Sequence, residues 1–287
     1  MNIAIDAKNL SVRYKNGHTA IKSATFSISK GSISGLVGVN GAGKSTIFKA
    51  LMGFVPITEG TISILGGSVR EALRSGIIAY VPQSEEVDWS FPVLVKDVVM
   101  MGRYGHMRFF RIPNARDRNA VDEALERVGM TALRKRQIGE LSGGQRKRVF
   151  LARALAQSSQ IILLDEPFTG VDVKTEDSII NLMREVRGEN CSILVSTHNL
   201  GSVPEFCDHV VMVNQTVLNH GPIETNFTHD HLKNAFGGVL RHLVIEGEDL
   251  HTDKDSRKVS ILTDDERPLV TYGGKRQFAR SRGLKND

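Results

Sequence analysis

The run Gly38-Val39-Asn40-Gly41-Ala42-Gly43-Lys44-Ser45-Thr46 places small residues, an amine and two hydroxyls at the spacing GxxxxGK[ST]. Its glycines let the backbone curl so that several N–H groups converge on one anion. A helix beginning at the lysine adds partial positive charge at the same spot. Lys44 is then expected to bridge the β- and γ-phosphates of a nucleoside triphosphate, and the Ser45 hydroxyl to bind Mg2+. An ordinary glycine turn is the bland alternative. The strand read before the loop and the helix read after it favour a nucleotide site.

Two further constellations belong with that loop. Ile161-Ile162-Leu163-Leu164 reads as a buried strand delivering Asp165 and Glu166 at its carboxyl end, where open α/β sheets place their ligands. Asp165 is expected in the Mg2+ shell, and Glu166 is expected to orient or deprotonate an attacking water. Leu141-Ser142-Gly143-Gly144-Gln145 opens a helix through a capping box of Ser142 and Gln145. Its glycines leave backbone N–H groups open to a second anion, a feature that a plain kinase does not need.

These groups need elements to hold them. Strand-like alternation runs through Ile3, Ile5, Leu10, Val12 and Tyr14 and again through Phe26 and Ile28, with Asn16-Gly17 as a hairpin turn between. A strand over 32–37 and a helix over 44–52 flank the phosphate loop, and Tyr80-Val81 close another short strand. From about 84 to 158 the pattern turns helical, with helices over 120–128 and 146–157. A helix over 175–186 and strands over 192–195 and 210–213 follow. Thr228 is placed to cap a short helix ending at Gly237. Strands alternating with helices around a helical insertion mark an α/β core.

The composition fits this outline. The chain has 287 residues, 40% of them hydrophobic, with 37 Lys and Arg against 32 Asp and Glu. That length holds one large domain without disulfide staples. No apolar run reaches the roughly 18–20 residues that span a bilayer. Met1 to Asp6 do not read as a secretory leader. Cys191 and Cys207, outside any CxxC pattern, are expected to be reduced cytosolic thiols. Residues 246–287 read as a charged, partly ordered tail. His229-Asp230-His231 reads as a solvated turn more readily than as a metal sensor.

Over residues 1–225 the ordered motifs resemble the ATP-binding subunit of an ABC transporter. The resemblance implies a P-loop NTPase fold with a RecA-like core, an antiparallel β subdomain and an inserted helical subdomain over about 84–158. The extension 226–287 receives no role. Gln83, after Tyr80-Val81-Pro82, matches the family's metal- and water-sensing glutamine, and His198 in Ser196-Thr197-His198 matches its γ-phosphate switch. Tyr14 falls where the family stacks an aromatic on adenine, and Thr169-Gly170-Val171-Asp172 falls where its dimer-contact loop lies.

The same resemblance implies a homodimer with ATP and Mg2+, in which Ser142, Gly143, Gly144 and Gln145 of one copy seal the nucleotide held by the other. It also implies a membrane permease, an extracytoplasmic substrate-binding protein and a peripheral place on the cytoplasmic face of the membrane. The permease docks beside the glutamine loop, where Trp89, Phe91 and Tyr104 either anchor its helix or plug the helical core. Val87-Asp88-Trp89-Ser90-Phe91-Pro92 and Met101-Gly102-Arg103-Tyr104-Gly105 are similar to ATPases of manganese, zinc and iron importers. Import of an iron-siderophore or haem is the alternative, and a soluble ABC ATPase acting on nucleic acid or ribosomes is a remoter one. No nucleic-acid partner is expected.

Overall fold

The computed structural model describes residues 3–83, 91–107 and 110–237, and the backbone of 241–245, 259–263 and 269–272. The chain opens with β1 (Ile3–Arg13), β2 (Thr19–Ser29) and β3 (Ile33–Val37), then α1 (Lys44–Leu51). Next come β4 (Glu59–Ile64), β5 (Gly67–Ser68), α2 (Val69–Arg74) and β6 (Ile78–Val81). A helical stretch follows as α3 (Val95–Met101), α4 (Ala115–Arg127) and α5 (Gly143–Ala156). The chain then returns through β7 (Ile161–Asp165), α6 (Val173–Gly188), β8 (Ser192–Thr197) and α7 (Val203–Phe206). β9 (His209–Asn214), β10 (Thr216–Pro222), α8 (Ile223–Asn226) and α9 (His229–Phe236) come next. β11 (Arg241–Ile245), β12 (Val259–Thr263) and β13 (Leu269–Tyr272) complete it.

The central sheet has the order β10-β9-β3-β8-β7-β6, parallel from β9 to β6 and closed by the antiparallel β9–β10 hairpin. β3, β7 and β8 are buried along their whole length, which explains why the apolar residues 161–164 of β7 and 193–195 of β8 run without alternation. A second, antiparallel sheet runs β2-β1-β4-β5. Between the sheets lies α1, whose Ile47, Phe48 and Leu51 are completely buried, so the phosphate loop is anchored in one of the two cores. The other core joins the opposite face of the central sheet to α3, α4, α5 and α6.

Helix starts follow local chemistry. α4 begins at Ala115, ahead of the start read from its apolar spacing, because the Asn114 side chain accepts from the N–H groups of Arg116 and Asp117. α9 runs from its Thr228 cap to Phe236, and its Leu232, Ala235 and Phe236 enter the core on the helical side of the sheet. The polar stretch after 246 holds β12 and β13, which pair with β11 as a three-stranded antiparallel sheet. Their short apolar runs sit inside charged sequence and carried too little pattern to be read as strands. Trp89 and the basic tail end from Lys275 to Lys285 lie outside the described residues.

One buried ion pair ties the helical block together. Arg103 Nε donates to Asp117 Oδ1 at 3.1 Å, and its guanidinium also donates to the Ala156 carbonyl at 2.9 Å. One side chain thereby joins the end of α3, the start of α4 and the end of α5. Removing one member of such a pair strands the other, so Asp117→Ala is expected to destabilise the fold by about 3 kcal/mol at neutral pH. The Asn114 backbone N–H, helped by Arg103, holds the Asp117 carboxyl below the usual aspartate value. Its stabilisation is therefore present above the unfolded aspartate pKa and lost as pH falls through the lower folded value. Thermal melts should show a wide gap between wild type and Asp117→Ala at neutral pH that closes in strong acid.

Candidate active site

The ends of four neighbouring parallel strands converge. Val37 at the end of β3 pairs with Thr197 of β8, Asp165 of β7 pairs with Ser196, and Val81 of β6 pairs with Leu164. This register sets Gly38, His198, Glu166 and Gln83 just beyond adjacent strand ends, although they are scattered along the chain. Side chains held this way are positioned by the sheet and not by flexible loops.

The phosphate loop has the backbone its residue types predicted. Gly43 adopts φ 102°, and a Cβ there would stand 2.9 Å from the Ala20 carbonyl and 2.3 Å from Ile21 Cδ1, so only glycine fits beneath β2. A Cβ on Gly38 would stand 2.1 Å from the Val213 carbonyl. Ala42 is buried, its N–H bonded to the Val39 carbonyl, while Asn40 and Gly41 are exposed at the apex. The start of α1 has no side-chain cap, in contrast to α4, α5 and α6. A helix start without such a cap suits an anion. Lys44 folds over the loop, donating to the carbonyls of Gly38 at 2.7 Å and Val39 at 3.2 Å. The Thr46 hydroxyl lies 3.1 Å from that of Tyr14, which sets the tyrosine ring at the rim of the loop.

Asp165 is buried, and its two oxygens accept from the Ser196 hydroxyl at 2.6 Å and the Tyr80 hydroxyl at 3.4 Å. Glu166 turns elsewhere, as its place one residue beyond a buried position requires. Its carboxylate lies 3.5 Å from His198 Nδ1 and 4.0 Å from Lys44 Nζ, and it accepts from the Thr169 hydroxyl at 3.2 Å. The imidazole of His198 holds the Glu166 carboxyl below the usual carboxylate range, with Lys44 and Thr169 adding to it against the opposing effect of burial. Glu166 is therefore ionised at neutral pH. Ser45 and Asp165 offer a hydroxyl and a buried carboxylate, hard oxygen donors that suit Mg2+.

The other sequence-selected residues lie at the starts of α5 and α6 and just past β6. The Ser142 hydroxyl accepts from the Gln145 N–H while the Gln145 carboxamide accepts from the Ser142 N–H, closing the capping box. That leaves the Ser142 O–H free to donate outward, and Ser142 and Gly143 are exposed. Gly144 lies beneath them against Thr175 of α6. Asp172 caps α6 through the Thr175 N–H, so its carboxylate already has a local bond. Gln83 is half-buried just past β6.

Sequence reading missed the supporting partners. Ser196 also accepts from the Glu166 N–H at 2.9 Å, so one hydroxyl bridges both acidic residues. Tyr80, Thr169 and Lys147 likewise contact Asp165 or Glu166. Strand pairing between β7 and β8 was the signal for Ser196, and it becomes readable only once the strand order is known. Among the described residues no three His, Cys, Asp or Glu side chains gather to hold a metal ion. His231 Nδ1 instead lies 2.7 Å from the Asn219 amide and 3.0 Å from the Asn226 carbonyl.

Residues 21–169 match the family described as ABC transporter. The chain is 62% identical over 265 residues to the chelated iron transport system membrane protein YfeB of Yersinia pestis, covering 92% of this chain and 90% of that protein. It is 55% identical over 239 residues to the manganese transport system ATP-binding protein MntA of Synechocystis, covering 83% and 91%. A metal-chelate type ABC transporter solved in an inward-facing conformation superposes with TM-score 0.75 at 26% identity, over 93% of this chain and 98% of that one. Phosphate loop, acidic strand end and capped glycine tip are thus met together with extended similarity on both sides of them, and the chain belongs to the ABC transporter family.

Proposed function

We propose that this chain is the ATP-hydrolysing subunit that powers import of a divalent metal ion, manganese, iron or zinc, through a separate membrane permease. The observation that carries this reading is the convergence of the glycine loop, Lys44, Asp165 and Glu166 at neighbouring strand ends, on a chain in which no described helix is long and apolar enough to cross a membrane. Work done on a solute across a bilayer then needs another polypeptide. The names of the relatives supply the cargo class.

In this mechanism the loop N–H groups of 38–46 and Lys44 bind the triphosphate, with Tyr14 against the adenine. Ser45, Asp165 and Gln83 would hold Mg2+, which neutralises phosphate charge during hydrolysis. Glu166 orients the attacking water and accepts its proton. A γ-phosphate competes with Glu166 for Lys44 and His198, so its binding draws away the two side chains that keep this carboxylate weakly basic. The base gains proton affinity when its substrate arrives. His198 then holds the γ-phosphate.

The exposed tip at Ser142 and Gly143 closes over the nucleotide of a second copy, with Asp172 in the dimer-contact loop, giving a twofold pair with two shared sites. Binding closes the pair and product release opens it. Phe91 and Tyr104 are exposed, so they do not plug the helical core, and this exposure supports their reading as anchors for a helix of the permease. The complex sits on the cytoplasmic face and takes cargo from an extracytoplasmic binding protein.

The similarity to YfeB, of a chelated iron transport system, and to the metal-chelate type transporter favours a second reading, import of a chelated metal. One experiment separates the two. The chain and its copurifying membrane subunit are reconstituted in vesicles with ATP and free or chelated Mn2+, Fe2+ or Zn2+. ATP-dependent entry of free ion supports the first reading, and entry of chelate alone supports the second. Entry of neither overturns both.

A further inference from the structure

Glu166 has φ 48°, a left-handed backbone that residues with a side chain avoid, and the following Pro167 restricts it further. Something must hold it there. On the amino side its N–H donates to Ser196. On the carboxyl side the Lys147 ammonium of α5 donates to the Glu166 carbonyl at 3.2 Å and also to the Thr169 carbonyl. The lysine reaches these carbonyls beside a cleft where the apolar side chains of Val81, Leu151, Leu164 and Ile179 meet Asp165 and Glu166. An ammonium donating to a carbonyl makes a charge-assisted bond, stronger than a neutral one.

We propose that Lys147 is a positioning residue that clamps the Glu166–Thr169 turn, keeping the Glu166 carboxylate aimed at the site. The proposal rests on the ATPase reading above and deepens it. The clamp has a second consequence. Lys147 stands on the same helix as Ser142 and Gly143, less than two turns from them, so a shift of α5 pulls directly on the catalytic carboxylate of its own chain. The tip that closes one nucleotide site is thereby tied to the base of the other. Thr169 serves the same geometry from two directions, since its carbonyl accepts from Lys147 and its hydroxyl donates to Glu166.

The test is steady-state ATP hydrolysis by the full chain assembled with its copurifying membrane subunit, comparing wild type, Lys147→Met and Lys147→Arg. Methionine keeps the unbranched stem, one atom shorter, and removes the charge. It should lower kcat about tenfold, the scale of one lost charged hydrogen bond, with KM for ATP changed less than about twofold. Arginine keeps a cationic donor and should restore most of kcat. Unchanged kcat in Lys147→Met overturns the proposal. So does a rise in KM alone, or an arginine variant as slow as the methionine one. If Lys147→Met does not fold, Lys147→Gln is judged by the same criteria. A wild-type complex that hydrolyses no ATP overturns the function reading itself, an outcome distinct from failure of the clamp.

Discussion

Glu166→Gln should bind ATP and hardly hydrolyse it, with turnover lower by about three orders of magnitude, within the range that a positioned general base contributes. The amide has the shape of the carboxylate and keeps an oxygen for the Thr169 hydroxyl, so the fold has no reason to change. What it loses is the negative charge that faces His198 and Lys44 and the ability to take a proton. With hydrolysis blocked and the phosphate contacts intact, ATP should remain trapped in a closed dimer. Phosphate release measures the first effect, and a dimer peak carrying nucleotide in gel filtration measures the second. Unchanged turnover would remove Glu166 from the base role.

The depressed carboxyl of Glu166 adds a pH signature. A group whose folded pKa is lowered stabilises the fold above its unfolded value, and that stabilisation disappears as pH falls through the folded value. Wild type should therefore melt differently from Glu166→Gln at neutral pH, and the two curves should converge in acid.

Gly143→Asp should abolish hydrolysis while leaving the monomer folded. A Cβ at this exposed position would meet nothing nearer than the Gly170 carbonyl at 3.9 Å, and an acidic residue in the first turn of a helix is favourable. The same carboxylate would face the phosphates of the partner's nucleotide, replacing attraction by repulsion, and a loss of about 100-fold or more is expected. Melting curves check the first half and ATP turnover the second. Mixing decides whether the tip acts across the dimer. Gly143→Asp chains paired with Lys44→Ala chains contain one site with an intact phosphate loop facing an intact tip, so activity should partly return. If the mixture stays inactive, the shared-site arrangement is wrong.

Much of this centre was readable before any coordinates. GxxxxGK[ST] points to loop, helix start and lysine together, and Gly43, at positive φ beneath β2, shows why a glycine stands at the turn. The capping box at Ser142 and Gln145 was likewise local chemistry with a local result. Contacts between distant segments were not readable. Helical spacing puts Lys147 on a face of α5 but cannot say that the turn after β7 lies against that face. The Arg103–Asp117 pair escaped for the same reason, since each residue alone resembles a solvated charge. In β12 and β13 the limit was brevity, because runs of four or five residues carry little periodicity.

β3, the strand that launches the phosphate loop, finds its hydrogen-bonded neighbours only much later in the chain: Ile33 pairs with Ile193, and Ser34 with His209. A nascent polypeptide leaving the ribosome therefore carries a finished glycine motif beside an apolar strand with both edges bare. Such long-range closure is slow and leaves sticky edges exposed while it waits. Folding of this protein should depend on chaperone shielding until synthesis passes β9, and truncation before that point should yield aggregates and not a weaker ATPase.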